Sequence, residues 1–156
     1  MTAPVRPFCL YFAKFCVVAK MAVLTQAWLL VLFVFGGKCG ATLPGFPPPE
    51  IVLWLLRGVI GGLAIIALQL LLSMVIRNFA LPVLIALGGS VAGLLAVSED
   101  LGLYWPYSLM ILGMNSNRTE DVMAGGIWGF FLSCAVFLTV FLLIANVLLT
   151  KRDVET

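Results

Sequence analysis

Apolar residues fill four long stretches of this chain, and only short polar breaks separate them. The stretches run over 12–35, 51–76, 80–97 and 123–150. The hydrocarbon core of a bilayer is about 30 Å thick, so a helix needs roughly 20 consecutive apolar residues to cross it. We therefore predict an all-α fold, a polytopic transmembrane bundle of about four spanning helices that forms one transmembrane domain over residues 1–156.

A fifth apolar stretch, over residues 101–114, is too short to cross a bilayer. It contains Tyr104, Trp105 and Tyr107 around Pro106, and amphipathic aromatic side chains favour the headgroup zone. We predict an interfacial or re-entrant element on the same side as Glu99.

Composition excludes several classes of protein. Charged residues are 10% of the chain, against about 25% in an average soluble domain, and no basic run suggests nucleic-acid binding. The chain has no histidine and no CxxC spacing, so we predict no zinc site. It also has no Walker A, GxSxG or HExxH motif and no carboxylate inside a span. We predict that it is not an enzyme and has no catalytic residue, metal or cofactor.

The distribution of lysine and arginine predicts the orientation. With the N-terminus in the cytoplasm, Lys38 and Arg118 lie outside, and the basic residues near the inner side are Arg6, Lys14, Lys20, Arg77, Lys151 and Arg152. This is the usual positive-inside bias. We predict an integral protein of a bacterial cytoplasmic membrane with both termini in the cytoplasm.

Small and polar residues form a seam along each of the last three predicted helices. Such residues let helix backbones approach closely in lipid, so the seams either pack within the bundle or face a translocation path or a partner permease. We expect Gly62 to permit close backbone contact and Gln69 to point into the bundle. The candidate residues are Arg57, Gly58, Gly62, Gln69, Ser73, Gly89, Gly93, Gly125, Gly129, Ser133 and Asn146.

Arg57 is the ionisable residue that lies clearly inside a predicted span. A charge at the bilayer centre costs at least about 2.5 kcal/mol. We expect its side chain to reach the outer headgroups, or else to line an outward vestibule in which it pairs with Glu50, Glu99 or Asp100.

Several segments resemble a known family. They are LQLLLSMVIRNFA at 68–80, GGSVAGLL at 88–95, YWPY at 104–107 and KRDV at 151–154. These segments resemble small ABC-2 type permeases and are similar to the lantibiotic-immunity and bacitracin-resistance group. Phe12–Val154 corresponds to the last four spans of that group. Such permeases usually have six spans, so the resemblance predicts a truncated product or a shortened relative that relies on a second subunit.

The resemblance implies a permease subunit of an ABC-type exporter that acts in efflux or antibiotic resistance. It would have no ATP site of its own and would move antimicrobial peptides or other amphipathic substrates. Its partners would be a separate ABC ATPase, a second permease chain in a homo- or hetero-oligomer, and the lipid bilayer. The candidate cytoplasmic partner contacts are Lys14, Arg77, Asn78, Lys151 and Arg152. The alternative is a small non-transporting membrane protein, such as an assembly or immunity partner.

Overall fold

The computed structural model describes residues 7–40, 49–116, 121, 123 and 126–154. Within these residues, four helices are long and apolar enough to cross a membrane, as predicted. The helices are α1 Pro7–Phe35, α2 Ile51–Val75, α3 Ala80–Ser98, the short α4 Leu109–Gly113, and α5 Trp128–Val154. The all-α transmembrane fold is therefore confirmed.

Two helix starts differ from the predicted spans. α1 begins at Pro7 rather than at Phe12, because proline is tolerated in the first turn of a helix. It ends at Phe35 and is followed by a π-helical turn, Gly36–Gly40. The fourth long helix, in contrast, begins at Trp128 rather than at Met123. Apolar character alone places Met123 in the span, but Gly126 lies in the non-helical approach to α5.

Helix α2 is the centre of the bundle and contacts each of the other four helices. Its buried residues include Gly58, Gly61, Ala64, Ala67 and Leu71, at steps of three or four along one face. The glycines and alanines on this face allow the neighbouring elements to approach the α2 backbone closely.

Two apolar clusters pack against α2, each at a different level along the helix axis. Near the end where α1 begins and α5 ends, here called the terminal end, Tyr11, Leu71, Ala145 and Leu149 pack together. The Tyr11 hydroxyl donates a hydrogen bond of 2.8 Å to the carbonyl of Ala67 and so joins α1 to α2. Toward the opposite end, here called the loop end, the cluster comprises Ala64, Leu109, Leu112, Met123, Phe130 and Cys134.

The chain between α3 and α5 folds back into the bundle. It forms two 3₁₀ turns, Gly102–Tyr104 and Pro106–Ser108, followed by α4. Tyr107, Ser108, Leu109, Leu112 and Gly113 are all buried. We call residues 101–116 the re-entrant segment, since its part from Tyr107 to Asn115 is largely buried between helices, whereas its first residues, such as Leu101 and Tyr104, are exposed.

A residue with a positive φ follows α3, and another follows α4. Asp100 has φ 58° after α3, and Asn115 has φ 50° after α4. Beyond Asp100, the Leu101 N–H donates to the Ala96 carbonyl at 2.8 Å. This is the six-to-one hydrogen bond of a Schellman cap, which satisfies an end carbonyl while the chain turns away.

Candidate functional site

The predicted seam of α2 meets the re-entrant segment. The Gln69 side-chain amide donates a hydrogen bond to the Tyr107 hydroxyl. Gly58 leaves room for the side chain of Met114, because a Cβ at this glycine would overlap Met114 Cγ. Gln69 and Gly58, about three turns apart on α2, therefore both contact the re-entrant segment.

The seam of α3 contacts the same segment. A Cβ added to Gly89 would lie 2.5 Å from the ring of Tyr107, and one added to Gly93 would lie 3.2 Å from the Ser108 nitrogen. The indole of Trp105 also donates a hydrogen bond of 2.9 Å to the Gly89 carbonyl. Trp105 and Tyr107 thus attach the re-entrant segment to α3, whereas Tyr104 is 78% exposed.

The close backbone contact expected at Gly62 lies one residue earlier. A Cβ at Gly61 would be 2.5 Å from the Leu109 carbonyl oxygen, whereas one at Gly62 meets only Met110 Sδ, at 3.9 Å. Gly113 makes the reciprocal approach, with 2.6 Å to the Arg57 carbonyl oxygen. The prediction for Gly62 was wrong because α4 sits one helical step, about 100°, around α2 from the predicted face.

The predicted seam of α5 is mostly not a packing face. Ser133 donates a hydrogen bond to the Leu103 carbonyl, but Gly129 and Asn146 are exposed. The side of α5 that packs inward carries Phe130, Cys134, Ala145 and Leu149 instead. On α2, Ser73 is likewise exposed and bonds only to its own helix, at the Leu70 carbonyl. Gly125 lies outside the described residues.

The Arg57 side chain is buried, and it pairs with a residue that lies outside the spanning helices. Its guanidinium Nη1 contacts both carboxylate oxygens of Asp121, at 2.8 and 3.1 Å. The expected partners Glu50, Glu99 and Asp100 were therefore wrong. The sequence predicts Asp121 on the same side as Glu50, but only the folded chain shows that the approach to α5 returns to α2.

Asp121 is the functional candidate that sequence reasoning missed. Its side chain is 25% exposed and that of Arg57 is 9% exposed. Burial alone would raise the pKa of the Asp121 carboxyl, but hydrogen bonds from Arg57 and from the Met123 N–H lower this pKa below its ordinary value. The carboxylate therefore stays ionised beside the guanidinium at neutral pH.

Two apolar clefts flank α2. The α1–α2 cleft, of about 720 Å³, lies at the loop end and is lined by residues that include Gln26, Phe33 and Trp54. The α2–α3 cleft, of about 560 Å³, lies at the terminal end, and its polar lining residues are Gln69, Ser73, Arg77 and Asn78. Both volumes fall in the range of small-molecule sites, about 300–1,000 Å³.

The structure brings together Gln69, Ser73, Arg77 and Asn78 in the α2–α3 cleft. Of the candidate partner contacts, Lys14, Arg77 and Asn78 are exposed. Asn78 also has a structural role, since its side-chain oxygen accepts the Ala80 N–H at 2.9 Å where α3 begins. Lys151 and Arg152 lie in the last turns of α5.

Comparison with known proteins gives one family. A family model described as "ABC-2 family transporter protein" matches residues 1–93. The match spans α1, α2 and most of α3, and thus includes the α2–α3 cleft with Gln69. No curated protein and no solved structure gives a match to the chain.

Proposed function

Since the chain belongs to the ABC-2 family of transporter proteins, we propose that it is the permease subunit of an ABC exporter for amphipathic substrates. The observation that carries the proposal is the family match over helices long and apolar enough to cross a membrane. Antimicrobial peptides are the substrates that the resemblance to the lantibiotic-immunity group suggests. The membrane is that of a bacterial cell, and both termini face the cytoplasm.

The proposed complex contains a separate ABC ATPase and a second permease chain. ATP binds to the ATPase, because the permease sequence has no phosphate-binding loop of the Walker A kind. The exposed residues Lys14 and Arg77 are the proposed ATPase contacts, together with Asn78. Lys151 and Arg152, at the end of α5, would extend the same basic surface.

The proposed path begins in the α2–α3 cleft and is closed by the re-entrant segment. Gln69 lines that cleft and is bonded to Tyr107. The Tyr107 ring in turn rests against Gly89 of α3. A substrate that moves from the terminal end toward the loop end would have to displace this contact. ATPase closure would supply the energy for the displacement, by analogy with transporters of this kind.

Gln69→Leu tests this path. An interhelical hydrogen bond in a membrane protein is worth about 0.6 kcal/mol, so we expect nearly unchanged folded yield and thermal stability. Substrate resistance of cells that carry the complete transporter should fall severalfold, because Gln69 no longer holds Tyr107. The two readouts are measured on the same variant at matched expression.

Tyr107→Phe is the matched variant, since it removes the same hydrogen bond and keeps the ring on Gly89. If closure depends on the bond, both variants should lose resistance to a similar extent. Unchanged resistance in both would show that the contact is packing alone. Thr139→Ala is the neutral control, because the Thr139 hydroxyl donates to the Ala135 carbonyl of its own helix and Thr139 does not line the cleft.

A further inference from the structure

The α2–α3 cleft combines an apolar wall with a cationic mouth. Its wall includes Val18, Ile66, Leu70, Pro82, Val83 and Ala86. Its mouth, at the turn between α2 and α3, carries Arg77 and Asn78. Val83 is 52% exposed and Val18 is 42% exposed, so the cleft is open along its side, where the hydrocarbon of a membrane would meet it.

Among the side chains that the structure describes, those that carry a charge near this mouth are cations. Arg77 is exposed and makes no ion pair within the described part of the chain. Lys14 lies one turn from the wall residue Val18 on the same face of α1, toward the terminal end. The carboxylates with described side chains are Glu50, Glu99, Asp100 and Asp121, and each lies at the loop end of its helix or in the approach to α5.

We propose that the α2–α3 cleft binds an anionic phospholipid. One acyl chain lies along the apolar wall, and the phosphate lies at Arg77 in the mouth. Basic pockets between transmembrane helices bind anionic headgroups in this way, and each basic side chain near the surface contributes about a fivefold gain in binding. The inference goes beyond the proposed function, and the two share one site: a substrate that enters the path would displace the lipid, and the ATPase would compete with it for Arg77. The lipid is therefore tested on the chain without an ATPase or a substrate.

Charge favours this occupant over a second copy of the chain. A two-fold interface across this cleft would bring the Arg77 residues of both copies to one interface, and like charges repel. An anionic lipid has the complementary charge and an apolar chain for the wall.

Native mass spectrometry of the full-length chain in a neutral detergent tests the proposal. The probes are phosphatidylglycerol and phosphatidylcholine with identical acyl chains. We expect preferential retention of phosphatidylglycerol, reduced about fivefold by Arg77→Gln and weakened by added salt. Lys38→Gln, at an exposed cation of the loop end, is the control and should leave the retention unchanged.

A second variant tests the wall. Ala86→Phe places a ring in the cleft and should lower retention of both lipids without changing their ratio. Equal retention of the two lipids by the wild-type chain would overturn the proposal, as would an unchanged preference in Arg77→Gln. Cross-linking of a cysteine at Val83 to the same cysteine of a second copy in lipid vesicles would also overturn it, because the cleft would then be a protein interface.

Discussion

Replacing Gly61 by leucine should prevent the bundle from assembling. A Cβ at this position would lie 2.5 Å from the carbonyl oxygen of Leu109 and 2.8 Å from the Met110 nitrogen. These are backbone atoms, which cannot rotate away as a side chain can. Overpacking of a tight contact costs about 3 kcal/mol or more when the backbone must move. We expect the folded yield in mild detergent to fall sharply.

Gly62→Leu is the matched control, because it adds the same side chain one residue away. A Cβ at Gly62 meets only the flexible end of Met110, at 3.9 Å, which is ordinary van der Waals contact. This variant should assemble with close to wild-type yield. Equal yields for Gly61→Leu and Gly62→Leu would contradict the packing of α4 against α2.

Asp121→Asn should be the most destabilising change outside the helices. It removes the charge that compensates Arg57, whose side chain is only 9% exposed. Breaking a buried ion pair from one side costs about 3 kcal/mol, because the remaining charge stays buried without a partner. Thermal unfolding in nanodiscs is the measurement.

Two further variants should lose less stability than Asp121→Asn. Arg57→Met should cost less than Asp121→Asn, since the remaining Asp121 side chain is 25% exposed and water can solvate it. The double variant Arg57→Met with Asp121→Leu should recover much of the loss, as apolar replacements of buried pairs do. Wild-type stability in Asp121→Asn would mean that the Arg57 side chain reaches water unaided.

Lowering the pH should reduce the stability of the wild-type chain, as Asp121→Asn does, because it protonates the Asp121 carboxylate. The folded-state pKa of Asp121 lies below its ordinary value, which is about 3.9 for an unfolded aspartate. The pair therefore contributes fully above about pH 4, and the contribution is lost as the pH falls through the lower, folded-state pKa. Asp121→Asn should lack this part of the acid dependence in the same thermal measurement.

The sequence predicts the spanning helices well because each one satisfies a simple requirement of length and apolarity. α2 and α3 begin at the predicted residues and end within one residue of the predicted ends. The re-entrant segment is harder. Trp105 and Tyr107 have the composition of headgroup anchors, and whether they meet lipid or α3 depends on the space at Gly89, which only the folded chain defines.

The sequence also predicts part of the candidate site. Gln69, Gly89 and Gly93 are seam residues in both the prediction and the structure because their small or polar character suits a close neighbour. The choice between Gly61 and Gly62 depends on which side of α2 the short α4 occupies. That Asp121 rather than Glu99 pairs with Arg57 depends on the path of the loop before α5. The local sequence pattern predicts neither this path nor the side of α2 on which α4 lies.

We propose that this chain is a permease subunit that uses the ATP site of another protein. This is tested by measuring ATP hydrolysis by the purified chain in lipid vesicles, alone and together with the ABC ATPase that proves to be its partner. We predict no hydrolysis by the chain alone, and hydrolysis coupled to substrate export by the pair. Hydrolysis by the rigorously pure chain, or export that is independent of any ATPase, would contradict the account.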